Sequence, residues 1–416
     1  MNVLITGARV VTPTDTVGPR RGRAMELLYV MDEADVLVRE GRIVAVEPAS
    51  SGLALSRDVP KGATVIEAQG RVLMPGFVDC HTHACWAGSR LDEWQMKLQG
   101  ATYQQIMASG GGIMSTVRAT REATREELAA SLTTRLRAML RHGTTTVEVK
   151  SGYGLSWEAE SKMLGAIADA SRADGVPHVT PTALLGHVID PEVPGFVAAT
   201  CGRTLHEVAT HHRRLDGGPL AVDAYCEKGS WSVEDCVRLF EAAKARGMPI
   251  RVHTDQFNAL GMVQEAIQLG AVSCDHLEAS GPAEFEALGK SETMAVILPA
   301  CGFHLDGRYA NGRALIDAGA ALAMATNCNP GSAPTVSMAM IVALAVRHCG
   351  LRVPEAIHAA TANAAAVLGL RDRGSIAPGK RADMMLLRHR DERELAYEFG
   401  GNSVDMVIAN GRVVGA

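Results

Sequence analysis

The 416-residue sequence predicts an α/β fold, a (β/α)8 TIM barrel with a small β-sandwich domain built from both chain termini. Strand-like apolar runs alternate with helical patterns through the middle of the chain, as a barrel requires. Both ends are instead rich in short β runs punctuated by glycine. Histidines recur where the central runs end, the position at which barrels carry their chemistry.

At the N-terminal end, NVLITGARVV (2–11), DVLVREGRIVAVEP (35–48) and ATVIEAQGRVLMPG (63–76) are β-rich, and the polar residues 13–34 are read as a loop. The tail returns to that texture in DMMLLRH (383–389) and DMVIANGRVVGA (405–416). Residues 1–74 and 377–416 are therefore assigned to the sandwich and 75–376 to the barrel. Barrel strands are expected at Phe77–His83, Thr144–Ser151, His178–His187, Ala221–Gly229, Pro249–Gln256, Ala271–Leu277, Thr293–Ala300 and Ala321–Asn327. Among the crossovers, TREELAASLTTRLRAMLRHG (124–143) opens on the capping box Thr124-x-x-Glu127 and closes on Gly143. Neither G-x-G-x-x-G nor a P-loop follows a strand, which excludes the main nucleotide-binding folds.

Composition narrows the function classes. A net charge of −5 gives no electrostatic case for nucleic acid or an anionic membrane. The start lacks the pattern of a secretory leader, and no apolar run is long enough to span a bilayer. The nine cysteines are scattered without a C-x-x-C pair, so reduced thiols and a cytoplasmic location are expected.

FVDCHTHACWAGSR (77–90) sets His81 and His83 one residue apart at the end of an apolar run. With 14 histidines in the chain, one such pair is expected about 0.5 times by chance, so it means little alone. Its weight comes from the other strand ends, which carry Lys150, His187, Glu227, His253, Asp275, His276, Asn327 and Asn329. Residues i and i+2 of a strand share a face, and His253 from across the barrel adds a third imidazole. Three neutral imidazoles suit one divalent ion, zinc or iron, with an open position for water.

These residues resemble the amidohydrolase superfamily and, within it, the imidazolonepropionase family, over nearly the whole chain. MPGFVDCHTH, GSIAPGKRAD and DMVIANGRVV are similar to general superfamily motifs. More specific are GSR (88–90), GATYQQIMASGGGIMSTVRATR (100–121), VEVKSGYG (147–154), CEKG (226–229), HTDQF (253–257), DHLE (275–278) and NPGSAPT (329–335). The resemblance implies hydrolysis of a small imidazole-ring propionate, 4-imidazolone-5-propanoate, to N-formimino-L-glutamate in histidine degradation, by a homodimer. It implies that His81, His83 and His253 bind the metal, and that Arg90 and Tyr153 hold the propionate carboxylate. Tyr103, His187 and the loop Asn329, Gly331, Ser332 would contact the ring. His276 would hydrogen-bond the attacked carbonyl or the metal's water. Gln256 stands where some members carry Glu, and Lys150 is read as a structural lysine.

One position departs from the family pattern. Strand 8 there ends A-T-D-x-N-P-G-S, its aspartate being both metal ligand and proton acceptor, whereas this chain reads ATNCNPGS with Asn327. A neutral amide coordinates weakly and accepts no proton as a base. Three readings stay open: an introduced substitution that traps substrate, a base moved to His276, or a changed reaction. The last would remove sulfur from a 2-thioxo-5-oxoimidazolidine propionate, as in ergothioneine breakdown. A catalytically silent protein that binds an imidazole propionate is the reading from a different class.

Overall fold

A computed structural model of the protein describes residues 2–14, 18–53, 59–101, 105, 110–214 and 217–415. The N-terminal region lays down β1 (Asn2–Pro13), β2 (Leu28–Arg39), β3 (Arg42–Pro48), β4 (Thr64–Glu67) and β5 (Val72–Pro75). The polar stretch 13–34 is thus only partly a loop. Residues 22–26 form a 3-10 turn, and Leu28, Tyr29 and Val30 pair with Pro13, Thr12 and Val11 of β1. This part of β2 is held by backbone pairing while most of its side chains face solvent, so it carries no apolar alternation to read. Glu40 and Gly41, both at positive φ, turn β2 into β3 as a tight hairpin.

The barrel follows as eight parallel neighbours in chain order: β6 (Phe77–Asp79), β7 (Thr144–Lys150), β8 (His178–Gly186), β9 (Ala221–Cys226), β10 (Ile250–Thr254), β11 (Ser273–His276), β12 (Met294–Ile297) and β13 (Leu322–Met324). Helices cover its outside. The one over Arg125–Arg141 opens on the expected capping box at Thr124 and buries Leu128, Leu132, Leu136 and Leu140, a stripe of four-residue spacing.

Strand β6 is shorter than the run Phe77–His83. Past Asp79 the chain divides its backbone bonds between two neighbours. Lys150 N donates to Thr82 O on one side, while Asn327 N donates to His81 O and His83 N to Cys328 O on the other, each at 3.0 Å. These last two bonds close the seam between the first and last strands. Thr326 N and Oγ1, both bonded to the Asp79 carboxylate, reinforce it.

The chain returns through β14 (Met384–Leu387), β15 (Val404–Ala409) and β16 (Arg412–Gly415), which join the N-terminal strands in the order β16-β15-β14-β5-β1-β2-β3, with β4 also on β1. Val3, Ile5, Val36, Val38, Met384, Leu386 and Ile408 form a separate apolar core for this sheet. No helix among the described residues is long and apolar enough to cross a membrane. All nine cysteines are buried and free.

Barrel and terminal sheet meet tightly at Gly143, which has φ +89° and accepts a bond from Phe77 N. A Cβ there would lie 2.6 Å from Met385 Sδ and 3.0 Å from Val404 Cγ2. Gly143→Ala is therefore expected to destabilise the fold by about 1–3 kcal/mol through backbone strain and overpacking. Denaturant unfolding measures it, and an unchanged midpoint would contradict the tight junction.

Candidate metal centre and pocket

The C-terminal ends of the barrel strands gather the predicted histidines. The ligand atoms of His81, His83 and His253 all lie within 4.8 Å of one another and are buried. His83 Nε2 and His253 Nε2 face each other at 3.2 Å. His81 Nε2 and Asn327 Oδ1 are buried with no hydrogen-bond partner among the described residues. Burial, then Lys150 and the neighbouring imidazoles, hold the His81 pKa well below its ordinary value. Burial and His187 do the same for His83, and burial lowers His253 despite the nearby Asp223. Neutral imidazoles and orphaned buried acceptors are what a divalent cation requires, so the donor set fits one.

Two carboxylates decide which nitrogen of each ring is free. Asp275 Oδ2 takes the Nδ1 hydrogen of His81 at 2.6 Å, and Asp223 Oδ1 that of His253 at 3.0 Å. Each ring is thereby held as the tautomer that presents Nε2. The carboxylates are themselves anchored. Arg251 reaches Asp275 at 2.7 Å and Glu148 at 2.6 Å, while Lys150 lies 2.8 Å from both Glu148 and Asp223. Burial opposes ionisation of Asp223, yet His253 and Lys150 hold its pKa well below the usual carboxylate range.

Sequence reading did not anticipate Asp223, Glu148 or Arg251. The signal was present as single charges at alternate positions of apolar strands, in VEVK, AVDAYC and IRVHT.

Above the histidines lies a cavity of about 670 Å³. Arg90, Tyr153, His187, Gln256, His276 and Asn327 line it, as do Asn329, Gly331 and Ser332. Tyr103 lies outside the described residues. Arg90 Nη2 pairs with Glu93 at 2.6 Å, so this guanidinium already has one carboxylate. A Cβ on Gly331 would lie 3.2 Å from Arg90 Nη1, so the absent side chain gives the guanidinium room. Burial raises the Tyr153 pKa and keeps the phenol a neutral donor. Burial and the neighbouring His253 lower His187 to about 3. The Nδ1 hydrogen of His187 goes to Gly152 O at 2.9 Å, leaving Nε2 as an acceptor. Asn329 organises its own loop: Oδ1 accepts from Gly331 N and Ser332 N, and Nδ2 donates to Asn327 O and Ser332 Oγ.

Three further groups were not foreseen as partners. Gln256 Nε2 points at Cys301 Sγ, 3.1 Å away, and Gln256 O accepts from Arg308. Glu227 clamps the loop after β10 by accepting from Phe257 N, Asn258 N and Asn258 Nδ2. His276 Nδ1 lies 3.2 Å from Glu278 Oε1. Burial alone lowers the His276 pKa, but Glu278 and Cys301 outweigh it and raise it to about 10. Asp255, His276, Leu277 and Asn327 all have positive φ, which Asp and Asn tolerate readily, so the backbone strain lies at His276 and Leu277 after β11.

Comparison with known proteins shows the family and the fold. A model of the amidohydrolase family matches residues 72–414. The chain is 45% identical to the imidazolonepropionase of Deinococcus radiodurans over 98% of both chains. It is 44% identical to that of Deinococcus deserti over 96% of both. Among solved structures it is similar to 5-methylcytosine deaminase from Klebsiella pneumoniae, with a TM-score of 0.73 and 17% identity, covering 99% of this chain and 97% of that one. At that identity the likeness concerns the fold alone.

Removing a carboxylate behind the imidazoles tests the arrangement. Asp275→Asn is expected to lower metal affinity by about 10–100-fold in chelator competition, and His253→Ala to abolish stoichiometric metal. Metal content unchanged in His253→Ala would overturn the ligand set.

Proposed function

The chain belongs to the amidohydrolase family, in its imidazolonepropionase branch, and from that membership we propose that it hydrolyses 4-imidazolone-5-propanoate to N-formimino-L-glutamate in histidine degradation. The observation that carries the reading is the His81, His83 and His253 cluster, with Asp275 and Asp223 behind it and the Arg90-lined cavity above.

In this reading His81, His83 and His253 would hold one zinc or iron ion, and Asn327 would add a neutral oxygen donor. When bound, the ion supplies Lewis acidity and a water acidified toward neutrality. Arg90 and Tyr153 take the propionate carboxylate, one by a charge-assisted fork and the other as a neutral donor. His187 and the Asn329–Ser332 loop would flank the ring, with Tyr103, which lies outside the described residues, as a further expected contact. Gln256, an amide held by Cys301, is suited to hydrogen-bonding and not to proton abstraction. His276, with Glu278 behind it, suits donation to the attacked carbonyl oxygen as the ring C–N bond opens. The buried free cysteines favour a cytoplasmic setting, and a homodimer is the proposed assembly, to be read by sedimentation.

Asn327 keeps a second reading in view, because a neutral residue stands where proton acceptance is expected. The purified protein, assayed for loss of the imidazolone ring, is expected to be slow. Asn327→Asp should accelerate it at least about tenfold, roughly 1.4 kcal/mol of barrier. If the aspartate instead destroys activity while the parent turns over the thioxo ring, sulfur removal is the reaction. Binding of both rings without turnover of either, in both forms, would make the protein a silent binder.

Arg90→Ala tests recognition separately from chemistry. Loss of the charge-assisted pair is expected to weaken substrate binding about a hundredfold or more. Equal binding by the variant and the parent would remove Arg90 from the site.

A further inference from the structure

Beside the histidine cluster lies a second group of metal-ligating side chains that the hydrolysis uses only in part. His276 ends β11, Glu278 follows two residues later, and Cys301 sits in the helix Pro299–Leu305 after β12. Their donor nitrogen, oxygen and sulfur all lie within 4.8 Å of one another. The His276 and Glu278 side chains are 3% and 4% exposed and Cys301 is 2% exposed, so the group is enclosed by protein. Positive φ at His276 and Leu277 marks the turn that carries the chain from the first ligand to the second. One observation singles the group out from an ordinary hydrogen-bonded cluster. Glu278 Oε2 is buried with no hydrogen-bond partner among the described residues, although Oε1 meets His276 Nδ1. A buried carboxylate oxygen left in this state is costly unless a cation or donor completes it.

We propose that His276, Glu278 and Cys301 form a second binding site for a borderline or soft divalent cation of the Zn2+, Co2+ or Cd2+ class. The sulfur excludes Mg2+ and Ca2+, which take oxygen ligands. Donors around a tetrahedral ion at about 2.0–2.3 Å stand about 3.3–3.8 Å apart, so the group needs to contract by no more than roughly 1.5 Å. Gln256 is placed to complete the shell. Its amide touches Cys301 Sγ through Nε2, and rotation of that amide by half a turn presents Oε1 instead. On binding, the thiol hydrogen and any Nδ1 hydrogen of His276 leave as protons, and metal–sulfur and metal–nitrogen bonds replace them. The His276 ring centroid is 5.6 Å from that of His253 and 6.1 Å from that of His81, so this cation sits next to the first. Occupancy takes His276 away from the carbonyl, and excess metal therefore inhibits. That consequence rests on the hydrolytic reading, whereas the binding itself does not.

Full-length protein stripped of metal and titrated with Co2+ separates the two. Two equivalents per chain are expected, the second bringing a sulfur-to-cobalt charge-transfer band in the near ultraviolet. Cys301→Ala should lose the band and the second equivalent, with the first retained as proof of folding. Glu278→Gln should weaken the second equivalent at least about tenfold and spare the first. Saturation at one equivalent, or a sulfur band that survives in Cys301→Ala, would overturn the site. Two equivalents in a protein that hydrolyses neither ring even when loaded with a single equivalent would leave this site standing and remove the hydrolytic reading alone.

Discussion

Glu148, Lys150, Asp223, Arg251 and Asp275 form a closed ion network on the floor of the barrel, with side chains no more than 2% exposed. Three carboxylates stand against two cations, so the network carries one negative charge in excess beneath the imidazoles. Such a network is weak as a stabiliser, because desolvation offsets most of the Coulomb gain. Breaking it is another matter, since removing one partner leaves an uncompensated buried charge at about 3–5 kcal/mol. Its consequence is orientation: Asp275 and Asp223 set the rings of His81 and His253, and Arg251 and Lys150 hold those carboxylates still. The orientation of the imidazoles therefore depends on charges that do not line the cavity.

The same region closes the barrel. The bonds from Asn327 N to His81 O and from His83 N to Cys328 O join the first strand to the last. Candidate metal ligands and seam are thus one structural feature, since the backbone bonds that close the barrel run through His81, His83 and Asn327. Positive φ at Asn327 is compatible with either asparagine or aspartate, both of which visit the left-handed region readily. The backbone consequently gives no reason for the amide at that position. Its effect lies in the side chain: a neutral oxygen in place of a charged one, no proton acceptance, and an Nδ2 donor that reaches Ser332 Oγ at 3.5 Å.

On the recognition side, Glu93 joins Arg90 to the segment beyond it, accepting also from Gly112 N and Ser115 Oγ. Under the proposed role of Arg90, an incoming carboxylate would meet a guanidinium already oriented by Glu93, at the cost of sharing it. Preorganisation of this kind lowers the ordering entropy of binding while moderating its electrostatic gain. Gly331 contributes by having no side chain to exclude the guanidinium.

Much of this was legible in the sequence because it follows from period and chain order. Alternating strand and helix patterns determined the barrel, histidines at the ends of its strand-like runs marked the site, and the β-rich ends foretold the terminal sheet, although His81 and His83 reach the site from the irregular segment past β6 and not as i and i+2 of a strand. Patterning failed at residues 28–34, where the apolar run Leu28–Met31 is short and does not alternate, and the strand is held largely by backbone pairing. It also failed wherever meaning depended on a partner across the barrel. Asp275 reaches His81 from 194 residues away, and Arg251 reaches Glu148 from 103. Glu278 and Cys301 acquire significance only when β11 and the helix after β12 bring them together. Periodicity is a local property that a single sequence carries, whereas the pairing of buried charges is decided by which strand ends face each other once the barrel has closed.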